Sequence, residues 1–283
     1  MDWIGAEVGH DASFTKLEKR VAAYLTANPD ALLVDTSRAI AERVGVSPMT
    51  VTRFFKKLGY ENAAAARRKL KRQVYGPELS RIGNRFDLFR ESKPPAGGDA
   101  VLQSGIAAIR RAFEVRSQPQ WQRIVEAVAG ADSVYVTGFQ TMGYLARGFA
   151  MRLGYVRPGV HEIDGADGAY AGLLTDPAPR RALLIMDIFR YARNGPVLAR
   201  AARARGVEVV VFCDEFCDWA ADITPHVVAL PSATPLFFRS DTGIHFSLSL
   251  LEQDVIDAYG EQRVREHMEL LSEAQEWFGQ YSK

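Results

Sequence analysis

The chain has 283 residues, 47% of them hydrophobic and 24% charged, with a formal net charge of +1 and two cysteines. This composition fits an ordinary folded protein long enough for two domains, and it excludes a mainly disordered chain and a disulfide-built scaffold. No run approaches the roughly 18 to 20 uninterrupted apolar residues of a membrane span, and no charged-then-apolar leader opens the sequence, so a reducing, cytoplasmic location without membrane partners is expected.

Charge is unevenly placed along the chain. Met1 to Gly76 holds 13 basic and 8 acidic residues, and Thr36 to Gly76 alone holds 10 and 2, whereas Val101 to Lys283 holds 18 and 22. A basic first segment suits a polyanionic surface, although a solvated helix face explains a charge run equally simply. Phe14 to Asn28 has helical spacing of Leu17, Val21, Ala22, Tyr24 and Leu25 and stops before Pro29. A short apolar run, Ala31 to Val34, follows. Ser37 to Val44 then puts Ile40, Ala41 and Val44 on one helical face. Gly45 and Val46 form a turn, Ser47 a cap, and Pro48 opens a helix that closes at Leu58 and Gly59. Ala63 to Val74 is a further helix carrying Arg67, Arg68, Lys69, Lys71 and Arg72.

The composition shifts over residues 77–100, where Ser92 to Gly98 is too rich in proline and glycine for regular structure, so the first domain is read as 1–76, the linker as 77–100 and the second domain as 101–283. Beyond the linker, helices are predicted at Val101 to Val115, Trp121 to Ala129, Met142 to Leu153 and Val197 to Arg205, and strands at Ser133 to Thr137, Val160 to Ile163, Ala182 to Met186, Val207 to Phe212 and Val227 to Leu230. Short Val, Leu and Ile runs separated by helices indicate a parallel sheet covered on both faces. Gly243 to Tyr259 and Glu261 to Tyr281 read as closing helices. The expected fold is therefore an all-α domain followed by an α/β domain with a parallel sheet flanked by helices.

The sharpest motif is Ser37 to Lys56, which has the spacing of a helix-turn-helix. Ala41 is small at the helix crossing, Gly45 meets the turn's demand for positive φ, and Val46, Val51 and Phe54 pack the second helix on the first. Ser47, Met49, Thr50, Thr52, Arg53, Lys56 and Lys57 then face outward, where a major groove would receive them. Arg53 has the donor fork for a guanine edge, and Lys56 and Lys57 suit phosphates. An αα-hairpin with a solvated basic face is the plain alternative.

Phe14 to Ala22, Asn28-Pro29-Asp30, Ala41-Glu42, Val46-Ser47 and Thr50 to Phe54 with Leu58-Gly59 together resemble the RpiR/MurR family of bacterial transcriptional regulators. The resemblance implies a double-stranded DNA operator as partner and a C-terminal sugar isomerase (SIS) domain that binds small effectors, usually phosphosugars; because one helix-turn-helix gives limited specificity, a homodimer or higher oligomer spanning two half-sites is expected. It also implies that Tyr135 to Gly143 is the first ligand loop, with Thr137, Gly138, Gln140 and Thr141 as effector contacts. At the second loop the family's Ser-x-Ser-Gly-x-Thr run is replaced by Asp187 to Asn194, so Arg190, Arg193 and Asn194 are the candidates to hold a phosphosugar, sugar acid or other anion. Arg190 equally suits a pairing with Asp187 or packing under Tyr191.

Other constellations carry less. Asp241 and His245 suit the rim of the pocket, with a buried, satisfied histidine the plain reading. Cys213, Cys217 and His226 have no zinc spacing, so no metal site is expected. Glu162, Asp164 and Asp167 read as loop surface, without a partner that would make them catalytic, and no cofactor is implied. Val264, Met268, Leu271 and Trp277 are candidate dimer contacts or cover for their own sheet. The expected function is an effector-responsive DNA-binding regulator rather than an enzyme. The alternatives are a constitutive regulator whose SIS domain only dimerises, and a phosphosugar isomerase.

Overall fold

The structure, a computed structural model, describes residues 13–27, 37–63, 65–66, 86–87, 89–90, 98–189 and 191–278. The run Ala31 to Val34, the basic cluster Arg67 to Arg72, most of the expected linker and Arg190 lie outside the described residues. The chain divides into two compact units, Met1–Lys93 and Pro94–Lys283.

In the first unit, α1 (Lys16–Ala27), α2 (Ser37–Val44) and α3 (Pro48–Lys57) form a small helical body. Its core is Phe14, Val21, Ala22 and Leu25 from the first helical segment, Ile40, Ala41 and Val44 from α2, and Val51, Phe54 and Phe55 from α3. These positions recur every three or four residues, so each helix buries one stripe and leaves the other to water. The turn between α2 and α3 is a Schellman closure: Val46 N–H reaches Ala41 O (2.9 Å) and Gly45 N–H reaches Glu42 O (3.2 Å), with Gly45 at φ +69°. Arg20 of α1 donates to Val44 O at 2.6 Å, placing a cation where the carbonyls of α2 run out.

In the second unit, α4 (Asp99–Arg116) and α5 (Pro119–Gly130) lead into an alternating β/α array: β1 (Ser133–Gly138), α6 (Gly143–Val156), β2 (Val160–Glu162), α7 (Ala171–Leu174), β3 (Arg181–Asp187), α8 (Asn194–Arg203), β4 (Glu208–Asp214) and β5 (His226–Leu230). Helices α9 (Thr242–Tyr259) and α10 (Glu261–Phe278) follow. The described strands form one five-stranded sheet in the order β2-β1-β3-β4-β5. All its pairings are parallel; Val134 lies between Val160 and Ala182, and Val210 lies beside His226. Alternate residues feed opposite faces. Val134, Val136, Ala182, Leu184, Met186, Val210 and Phe212 join the core shared with α4, α5, α6 and α9. Tyr135, Leu183, Ile185, Val209, Val211 and Cys213 join the core shared with α7 and α8.

Two polar devices fix the covering helices. Arg116 of α4 makes a bidentate pair with Asp254 of α9 (2.9 and 2.5 Å), and Trp121 of α5 donates to the same carboxylate at 2.7 Å. Arg157, buried against the Tyr259 ring, donates to Val128 O and Ala131 O, carbonyls left over at the end of α5. Within α10 only Val264 is buried. It joins the core of the second unit, whereas Met268 and Trp277 are exposed and Leu271 is half-buried.

Candidate functional site

Helix α3 is organised from its cap. The Ser47 hydroxyl accepts from Thr50 N–H (3.2 Å) and contacts the Thr50 hydroxyl (2.9 Å), Pro48 fills the first turn, and Thr52 returns its hydroxyl to Pro48 O (3.2 Å). Val51, Phe54 and Phe55 turn inward together. The opposite face presents Met49, Arg53 and Lys56 to solvent, with Thr50 and Thr52 half-buried between them and Ser47 exposed at the start. A polar helix face with its amino end free of acidic residues is shaped for a groove lined with phosphates and base edges.

Lys57 is placed differently from its neighbours. Its ammonium bonds Glu18 Oε2 and Ser13 O, both at 2.7 Å, and lies 5.6 Å over the Phe14 ring. Glu18 is itself buried and accepts Thr15 N–H at 2.8 Å while the Thr15 hydroxyl accepts Glu18 N–H at 3.3 Å. This is a capping box, and the Thr-x-x-Glu spacing at 15–18 was the sequence signal for it. Burial alone would push the Glu18 carboxyl up, but the bonds from Lys57 and Thr15 outweigh it and hold it below the usual range. Phe55, fully buried, also belongs to the motif's core and does not follow from the Val46, Val51, Phe54 spacing alone.

In the second unit, the strand order reverses direction between β1 and β3, so the crevice outside their carboxyl ends is the position where open α/β sheets take ligands. On the β1 side, Thr137 is buried, and Gly138 has no room for a side chain because a Cβ there would stand 2.3 Å from Met142 O. Gln140 takes positive φ (52°), and it and Thr141 are exposed. On the β3 side, Arg193 and Asn194 are exposed at the start of α8, and Arg190 lies outside the described residues. The fold thus gathers Gly138, Gln140, Thr141, Arg193 and Asn194 at one sheet edge, with Thr137 turned into the protein.

Behind the β3 loop lies a set of carboxylates that local sequence patterns do not reveal. Asp214, at the end of β4, accepts from Phe189 N–H (2.9 Å), Phe216 N–H (3.1 Å), the Ser232 hydroxyl (3.3 Å) and the Tyr191 hydroxyl. Asp187 accepts Ala192 N–H (3.2 Å), and Glu215 accepts Ser232 N–H (2.7 Å). Burial, reinforced by the Asp214 charge, pushes both Asp187 and Glu215 up to about 7. Arg239 stacks over the Phe189 and Phe216 rings at 5.1 and 5.0 Å and sets its charge against Glu215.

The remaining candidates resolve into structural roles. The buried histidine expected at 245 is not found: His245 is exposed on the first turn of α9, and Asp241 accepts the Tyr144 hydroxyl. Asp164 and Asp167 serve their own loop, Asp167 accepting the amides of Ala169, Tyr170 and Ala171. Cys213 is in the core with Cys217 half-buried nearby, while the sheet register pairs His226 with Val210, three positions back along β4 from Cys213. Among the described residues no group of three or more His, Cys, Asp or Glu is arranged for a metal, and no described helix is long and apolar enough to cross a membrane.

Residues 9–73 match the family profile described as helix-turn-helix domain, rpiR family. A curated relative, the Escherichia coli K12 protein named as the uncharacterized HTH-type transcriptional regulator YfhH, is 26% identical over 137 residues, 48% of this chain; the match spans about half of the relative's length (49%). Among solved structures, the Vibrio vulnificus NanR protein complexed with ManNAc-6P is similar over 96% of both chains, with TM-score 0.55 and 16% identity. The sugar isomerase domain of an RpiR transcription factor from Sphaerobacter thermophilus covers 61% of this chain and 96% of its own, with TM-score 0.52 and 19% identity. At those identities the structural likeness is one of fold, and it agrees with the parallel sheet described above. The profile match falls on the segment whose capped helix, glycine turn and buried stripe have just been described, so residues 9–73 are a helix-turn-helix domain of the rpiR type, ahead of an α/β fold like that of the sugar isomerase domain from Sphaerobacter thermophilus.

Proposed function

We propose that the protein is a transcriptional regulator that reads double-stranded DNA through α3 and tunes that binding through a small molecule held at the β1/β3 crevice. The observation carrying this reading is the Ser47-capped helix whose inner stripe is fully buried while Met49, Thr50, Thr52, Arg53 and Lys56 stay on the outer face. Arg53 reads a base edge, Lys56 meets phosphate, and Ser47 and Thr50 approach the backbone at the helix start. Lys57, first placed in the same set, is given the task of holding Glu18.

One such reader gives limited specificity, so the protein acts as a homodimer or higher oligomer whose two recognition helices span half-sites about 34 to 36 Å apart. An effector changes DNA affinity only by preferring one arrangement of the paired readers. The relative from Vibrio vulnificus was solved with ManNAc-6P, which makes sugar derivatives, phosphorylated or acidic, the first class to examine here. Gln140, Thr141, Arg193 and Asn194 are the described residues placed to meet such a ligand. A second reading, a constitutive regulator whose SIS-type domain only assembles the oligomer, is favoured by the self-satisfied β3 loop.

The test is selection of genomic fragments by the purified protein, followed by titration of the winning fragment with wild type and Arg53→Ala. Loss of one bidentate base contact, about 1–3 kcal/mol, predicts a roughly 5- to 150-fold weaker specific complex with the oligomer unchanged. Equal binding by both proteins would remove the recognition helix from the reading. Addition of sugar derivatives to the same titration separates the sensing regulator from the constitutive one.

A further inference from the structure

The β3 loop has the topology of a ligand cradle, but described donors of this loop and its neighbours already converge on an anion that belongs to the chain. Phe189 N–H and the Tyr191 hydroxyl come from the loop after β3, Phe216 N–H from the loop after β4, and the Ser232 hydroxyl from the segment after β5, and all four meet the Asp214 carboxylate. Asp214 and Ser232 are each about 1% exposed, so these bonds form away from water, where a charged acceptor with four donors is strongly held. Asp187 treats the adjoining helix in the same way. Its Oδ2 takes Ala192 N–H, and it lies 3.0 Å from where a Cβ on Gly195 would stand, so a carboxylate already sits against the first turn of α8.

Phe139 and Trp219 close the other sides of that turn, at 3.4 and 3.3 Å from the same point. A phosphate entering from the crevice would need these amides and hydroxyls and would have to approach Asp187, Asp214 and Glu215. Of the described cations at this edge, Arg239 is stacked on Phe189 and Phe216 with its charge acting on Glu215, and Arg193 is turned to solvent at the start of α8.

We propose that Asp214 is a built-in anion that fills the β3-loop cradle, so that the crevice excludes a phosphate group there and selects effectors without one. Its consequence for effector class rests on the sensing reading above, whereas the filled cradle itself does not. Asp214 is thus a specificity-determining residue, doing from within what a bound phosphate would do from outside.

The test uses the full chain and is read by thermal unfolding. Wild type is expected to show no saturable rise in Tm with inorganic phosphate, ManNAc-6P or glucose 6-phosphate, and a saturable rise with any of them overturns the proposal. Asp214→Ala leaves the four donors and a space, so its Tm is expected to fall by roughly 5–10 °C and to recover at least in part, saturably, on adding formate or phosphate. A variant as stable as wild type, or one destabilised but indifferent to both anions, also overturns it. If Asp214→Ala does not accumulate in folded form, Asp214→Ser, which retains a small polar group and the same space, takes its place with the same expected rescue. Because formate reads the cradle directly, failure of the sensing reading, seen as operator binding that no metabolite alters, leaves this result standing.

Discussion

Lys56 and Lys57 are adjacent in sequence, yet one is free to meet a polyanion and the other is built into the domain. The difference is angular: a step of about 100° along a helix carries Lys57 round to the buried Glu18, while Lys56 shares the outer face with Arg53 and Met49. Lys57→Met would leave the Glu18 carboxylate buried without its cation, a loss of about 1–3 kcal/mol tempered by the partial exposure of the lysine. The destabilisation should be largest near neutral pH. Because the Glu18 carboxyl is lowered in the folded state, its stabilisation is present above the unfolded carboxyl pKa and fades as pH falls toward the folded one. Arg53→Ala, on a fully solvated face, should instead leave stability within about 0.5 kcal/mol. Urea unfolding of the two variants followed by DNA titration separates the two roles; equal losses of stability would show that the angular assignment is wrong.

Among the elements, the α2–α3 turn is legible in the sequence because each of its constraints is local. Gly45 stands where a positive φ is required, Ser47 where a hydroxyl can reach an amide three residues on, and Pro48 where no amide donor is needed. The strands were equally legible, since β3 and β4 are continuous apolar runs of strand length between helical stretches. What escaped was long-range pairing. Nothing near residues 187–194 says that Phe189 and Tyr191 will meet a carboxylate at 214, or that His245 will face water, because those facts depend on how three loops converge at one sheet edge. The local constraints predict a graded response at two glycines. Gly45→Ala forces a side chain into left-handed backbone at a cost of about 1–2 kcal/mol, since the nearest atom, Arg20 Nη2 at 3.3 Å, ends a flexible chain and can yield. Gly138→Ala puts its Cβ 2.3 Å from the Met142 carbonyl, which is backbone, so the second unit should be hit harder than the first was by Gly45→Ala. Thermal unfolding of both variants checks the order, and a milder effect at 138 would contradict the close approach.

For the molecule as a whole, the buried groups set the pH at which it is most stable. Carboxyls in an unfolded chain titrate near 4. Asp187 and Glu215 are raised to about 7 by burial and by the Asp214 charge, so between those values the folded chain keeps protons that the unfolded chain has released. Stability from these two groups is fully present below the unfolded pKa and is lost as pH rises toward about 7. His226 works in the opposite sense: burial lowers its pKa, so stability is lost as pH falls below the unfolded histidine value. The lowered carboxyls of Asp132, Asp167, Asp176 and Asp254 add a loss only once pH falls below the unfolded carboxyl range. These opposing slopes are separated by a single variant. Asp187→Asn keeps an acceptor for Ala192 N–H but has no charge to bury, so its stability relative to wild type should be greater at pH 8 than at pH 5 by on the order of 2–3 kcal/mol, the unfolded carboxyl having already released its proton at pH 5 while the folded one releases it only near 7. Urea unfolding at the two pH values measures the difference, in which His226 and the lowered carboxyls cancel because both proteins carry them. An identical offset at pH 5 and pH 8 would mean that Asp187 does not change its protonation between them, and the carboxylate cluster behind the β3 loop would then have to be solvated in a way its burial contradicts.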